Sequence, residues 1–121
     1  MQHVMIVDGA NVVGSVPDGW WRDRRGAAER LRDRLATRPR TGTDTGTEHE
    51  IILVVEGEAR GVTSVPGVRV DSAPGSGDDR IVELAAEHAD RGCLVITADR
   101  ELRARVEALG ATCSGPGTLR P

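Results

Sequence analysis

Three short apolar runs, each closed by an acid, constrain the fold of this 121-residue chain more than any other feature. HVMIV ends at Asp8-Gly9, IILVV at Glu56-Gly57, and LVIT at Ala98-Asp99. None alternates apolar with polar residues. A strand with one wet face alternates; a continuous β-branched and leucine run implies burial on both faces, as in a parallel sheet covered by helices. Helical patterns fall between the runs. Residues 20–36 place Trp21, Ala28, Leu31 and Leu35 on one stripe, with Asp18 as the expected N-cap. Residues 78–90 turn Ile81, Leu84, Ala85 and His88 inward, and residues 100–109 turn Leu102, Val106 and Leu109 inward. Shorter strands are expected at 68–70 and 111–113, and residues 10–19 read as a loop. Strands alternating with helices imply right-handed crossovers. The expected class is α/β: a three-layer α/β/α sandwich with a mainly parallel central sheet of four to five strands.

Composition narrows the chemistry. The aromatics are Trp20 and Trp21 alone, so the core must be Val, Ile, Leu and Ala. That disfavours single-strand binders built on rows of stacked rings. The net charge of −3 gives no wholesale attraction to a polyanion, although bound cations can reverse a local field. All 16 basic residues are arginine, the better bidentate ligand for phosphate. Coding bias is the simpler explanation for that choice. Length predicts one domain over residues 1–121, with a flexible surface loop at 37–48 and a loose tail at 114–121. Cys93 and Cys113 have neither zinc-ligand nor disulfide-framework spacing, so free thiols and a cytoplasmic setting are expected. Neither a signal peptide nor a membrane span is visible.

Acids define the candidate chemistry. Asp8 in MIVDGAN and Asp99 in VITADRE follow strands, and Asp78 in GSGDDRI opens a helix after one. In an open parallel sheet the strand carboxyl ends share one edge, where ligands bind. Two like charges 4 Å apart repel by about 4 kcal/mol at an effective dielectric near 20. A divalent cation removes that repulsion, and hard Mg²⁺ or Mn²⁺ takes oxygen ligands together with substrate phosphates. Each acid also has an ordinary explanation, as a turn former or a helix cap. No histidine pair has metal-ligand spacing. Neither GxGxxG nor GxxxxGK[ST] is present, so Rossmann and P-loop nucleotide binding are unsupported. A phosphoacceptor receiver wants an acidic pair after its first strand and a lysine, and this chain has neither.

The series DGANVVG, VVEG, GDDRI and TADREL resembles the NYN domains, and within them the YacP-like branch of the PIN-like nuclease superfamily. The similarity runs over about residues 4–113 and rests on the order and spacing of short motifs. It implies a metal-dependent ribonuclease, an endonuclease, acting on RNA with Mg²⁺ or Mn²⁺. Asp8, Asp78 and Asp99 match the metal-contacting aspartates. Asn11 matches the asparagine of the D-G-x-N motif and Thr97 the hydroxyl of T-x-D. Asp79 stands beside Asp78 where a second acid is frequent. The chain departs from the pattern at three positions. Glu56 replaces an aspartate and is longer by a methylene; Gly77 replaces a common alanine; Ala98 replaces a serine.

Arg22, Arg24 and Arg25 are candidate contacts to an RNA backbone, against the reading of a solvated helix face. Trp20 and Trp21 are expected to divide between packing and partial exposure, with stacking on a base as the alternative. A second copy of the chain, or a larger RNA-processing or translation assembly, would complete a binding surface. Two other functions fit the same residues. One is a non-catalytic RNA-associated or protein-interaction module, to which Glu56 and Ala98 point. The other is a phosphatase or 5′-nuclease of related fold.

Overall fold

The computed structural model describes residues 3–37 and 49–119. Five strands form one sheet: β1 (His3–Asp8), β2 (His49–Val55), β3 (Val68–Ser72), β4 (Cys93–Ile96) and β5 (Thr112–Ser114). Their order is β3-β2-β1-β4-β5, and every neighbouring pair is parallel. The expected 37–48 loop, beyond Thr37, and the last two residues of the tail lie outside the described residues.

Successive side chains of a strand face opposite sides, so the apolar runs feed two cores. Val4, Ile6, Ile52, Val54 and Val95 pack under α3 (Gly77–Glu87) and α4 (Arg100–Glu107). Met5, Val7, Ile51, Leu53, Val55 and Ile96 pack under α1 (Gly9–Gly14) and α2 (Arg24–Thr37). This is the expected three-layer sandwich. Cys93 and Cys113 are free thiols. No helix among the described residues is long and apolar enough to cross a membrane.

Four details differ from expectation. The 10–19 loop begins instead as α1, a helix of 6 residues started by the Asp8 side chain. Residues 20–22 form a separate 3-10 turn, and α2 starts at Arg24. Asp23, not Asp18, holds its first turn, accepting from Gly26 N at 2.9 Å. That later start turns Trp21 outward, 53% exposed, while Ala28, Leu31 and Leu35 keep their places in the core. Leu109 falls beyond the end of α4 and is 38% exposed. In the expected tail, Pro116–Leu119 form a 3-10 turn, and Leu119 packs against the α1–α2 core.

A half-buried ion pair fixes α3 against the sheet. Arg80 Nε and Nη2 donate to the two carboxylate oxygens of Asp71, each at 2.9 Å. These hydrogen bonds hold the Asp71 carboxyl below the usual carboxylate range. A depressed acid contributes stability above its unfolded pKa and loses it as pH falls through the folded value. Asp71→Asn is therefore expected to destabilise the protein at pH 7 by roughly 2 kcal/mol, as for a charge-assisted bidentate pair. Denaturation melts should show the gap narrowing as pH falls below the unfolded value and closing once the folded carboxyl is protonated too.

Candidate active site

Connections from β1 and from β4 leave to opposite sides of the sheet, so their adjacent carboxyl ends form a switch point where a crevice opens. Asp8 ends β1, and Thr97 follows β4. Both are buried, at 4% and 0% exposure. Thr97 Oγ1 donates to Asp8 Oδ2 at 2.9 Å and accepts from the Asp99 amide at 3.1 Å. Asp8 Oδ1 accepts from the Asn11 amide at 3.4 Å, the bond that starts α1. The Asn11 side chain reaches back across the edge, its Oδ1 accepting from Ala98 N at 2.9 Å. Asp99 caps α4 through Leu102 N at 3.0 Å. Asp8, Asn11, Thr97 and Asp99 thus form one hydrogen-bonded unit.

Asp78 enters from the first turn of α3. Burial raises the Asp8 carboxyl to about 6; the bonds from Thr97 and Asn11 oppose that rise, and the charges of Asp78 and Glu56 add to it. The Asp78 carboxyl is also raised, first by burial and then by the charges of Asp99 and Glu56, with Arg105 opposing. The acids therefore share one electrostatic neighbourhood although they come from four segments of the chain.

Glu56 lies against the start of α3. A Cβ placed on Gly77 would fall 2.7 Å from Glu56 Oε1 and 3.2 Å from its Cδ. The longer acid and the missing methyl occupy the same space. Glu56 and Gly77 are therefore complementary in shape. Gly77→Ala is expected to leave the melting temperature nearly unchanged, because the far end of a flexible side chain can move. It displaces the Glu56 carboxylate, and Glu56→Asp added to it makes room again. Should the edge bind Mn²⁺, a double-mutant cycle on that affinity should show a coupling of about 1 kcal/mol, within the range for residues in contact; additive effects would contradict the pairing.

The other candidates lie outside this hydrogen-bonded unit. Asp79 turns away to Arg105 Nη2 on α4 at 3.0 Å, with its side chain 70% exposed. Arg25 is spent on the backbone, donating to Arg60 O at 3.1 Å and Gly61 O at 3.2 Å. Arg22 lies over Trp21, 5.8 Å from the ring centroid, and Arg24 lies over Trp20 at 5.3 Å. Sequence reasoning missed Arg103, whose Nε donates to Thr97 O at 2.9 Å and fixes the residue that bridges two acids. Its signal was an arginine one turn past the T-x-D aspartate.

The donors at this edge are all oxygens, a set suited to Mg²⁺ or Mn²⁺ and not to softer metals. Among the described residues, no three His, Cys, Asp or Glu side chains stand close enough to hold one ion together. Mg²⁺ usually keeps several waters and takes only one or two carboxylates, so the donor set fits without a closed protein cage.

No family model matches the chain, and no curated protein matches it. Solved structures do. Rae1 (YacP) from Bacillus subtilis superposes with a TM-score of 0.72 at 22% identity, covering 96% of this chain and 70% of that one. A point mutant of the same protein gives 0.69 at 21% identity, covering 98% and 72%. The chain has a YacP-like α/β fold, consistent with PIN-like architecture.

Proposed function

We propose that this chain is a metal-dependent ribonuclease that hydrolyses RNA phosphodiester bonds at the Asp8 edge of the sheet. The observation that carries the reading is Asp8 itself. A carboxylate 4% exposed, raised toward neutrality and facing the charges of Asp78 and Glu56, is disfavoured as a purely structural element. A bound hard cation would supply an activated water and neutralise charge on the phosphate. Asp8 and Asp78 are its proposed direct ligands, with Asp99 and Glu56 contacting it through water. Asn11 holds the β4–α4 connection in place, and Thr97 fixes the orientation of Asp8. The resemblance of the motifs to YacP-like NYN domains and the YacP-like fold support the same reading.

A second reading is a module that keeps the fold without cleaving. It draws on the missing three-acid cage among the described residues. Thermal melts with Mn²⁺ separate the two. The enzyme reading expects millimolar Mn²⁺ to raise the melting temperature by several degrees, through preferential binding to the folded state. Asp78→Ala should erase the rise. An equal rise in that variant, or none in the wild type, favours the module.

A further inference from the structure

A cavity of about 300 Å³ adjoins the acidic edge, with Gly9 and Glu56 in its wall. Its interior is apolar, with Val13, Ala28 and Val55 as lining, and Trp20 and Arg24 stand within it. The Arg24 guanidinium lies over the Trp20 ring, 5.3 Å from its centroid, so cation and indole are stacked at the cavity wall. Gly14 stands beside Trp20, where an added Cβ would lie 3.7 Å from the ring.

We propose that this cavity takes one unpaired nucleobase of the RNA, beside the phosphate held at the acidic edge; this rests on the ribonuclease reading. Unstacked bases are recognised by aromatic rings and by arginine planes, and both are present. The volume lies at the lower end of ligand cavities, room for one base with its sugar and not for a paired duplex. Charge is arranged to match. Glu56 and Asp8 mark the end where a cation-bridged phosphate would lie, and Arg24 supplies positive charge for the neighbouring phosphate. The enzyme would then require a locally single-stranded substrate.

Trp21→Phe leaves Trp20 as the sole indole and changes an exposed side chain. In that background, metal-free titration with each of the four ribonucleoside 5′-monophosphates should quench the fluorescence saturably. Ribose 5-phosphate should not. Arg24→Gln should weaken the apparent affinity about tenfold. Ala10→Leu, which enlarges a residue of the cavity wall, should abolish the quench. On single-stranded RNA, Trp20→Leu should raise KM at least fivefold with kcat little changed. Absence of saturable quenching by all four nucleotides, or equal quenching by ribose 5-phosphate, overturns the base site. Adding Asp8→Asn tests the underlying reading separately: if Asp8→Asn still cleaves RNA, the reading falls, whereas its nucleotide quench should persist. Loss of cleavage in Asp8→Asn without any nucleotide quench in the parent removes the base site alone.

Discussion

Asp8→Asn is expected to abolish Mn²⁺-dependent RNA cleavage while making the metal-free protein more stable at pH 8. The two effects share one cause. Burial raises the Asp8 carboxyl from 3.8 to about 6, so between those values the folded state binds more protons than the unfolded state. The charged form consequently weakens the fold as pH rises through that window, and the penalty is complete above the folded pKa. At about 1.4 kcal/mol per pKa unit it reaches roughly 3 kcal/mol. Asparagine removes the charge and keeps an oxygen for the Thr97 hydroxyl. It places an NH₂ group among the remaining donors, so recovery of about half the penalty is expected. That corresponds to a rise of several degrees in melting temperature for a domain of this size. The gain should vanish near pH 4, where Asp8 is protonated in the folded protein. Activity should move the other way, by a hundredfold or more, since charge stabilisation by a bound metal contributes several kcal/mol. Melts at pH 4 and pH 8, with cleavage assays on the same samples, check both halves. An Asp8→Asn protein that is less stable at pH 8 and equally active would remove Asp8 from the chemistry.

Gly9→Ala is expected to be the most damaging added methyl among the glycines of the described residues. A Cβ there would lie 2.5 Å from the Val54 carbonyl oxygen and 3.3 Å from Leu53 Cδ1. The nearest atom is backbone in a central strand, hydrogen-bonded in the sheet and unable to yield. Overpacking of this kind costs about 1–3 kcal/mol, and more where the obstacle is rigid. A value at or above 3 kcal/mol is expected, a large share of the stability of a small domain. The displaced element is α1, so Asp8 would lose its bond from Asn11, and Ala98 its bond to the Asn11 side chain. Chemical denaturation should show the loss of stability, and cleavage should fall even in the folded fraction. Gly75→Ala is the matched control, because no atom lies within 4 Å of its added Cβ.

Legibility in the sequence followed the range of the interactions. The strands were readable because IILVV and its counterparts are unbroken apolar runs, and burial on two faces leaves no other pattern. Helix α1 was not. GANVVG contains two glycines and two valines, poor helix formers, and it is helical because Asp8 caps it and Val12 is buried beneath it. The stripe through Trp21 failed because the helix phase restarts at Arg24, a point set by the Asp23 cap. Asp8 and Asp99 stood out because strand ends in a parallel sheet must meet at one edge, whereas Asn11 and Thr97 stood out only through the resemblance of their motifs to NYN domains. The Glu56–Gly77 fit and the commitment of Arg25 to the 60–61 carbonyls depend on contacts between distant segments. No local pattern encodes them.

Thr97 serves two masters with one hydroxyl, across a separation of 89 positions from Asp8. That arrangement limits how the chain can drift. A residue on a wet helix face can change alone and be forgotten. At Thr97 any replacement that lacks the hydroxyl unsettles the end of β1 and the start of α4 together. Valine, equal in shape, would strand an acid and an amide at once. The lineage of this protein should therefore show these positions changing together or standing still, whatever happens to the arginine-rich surface around them.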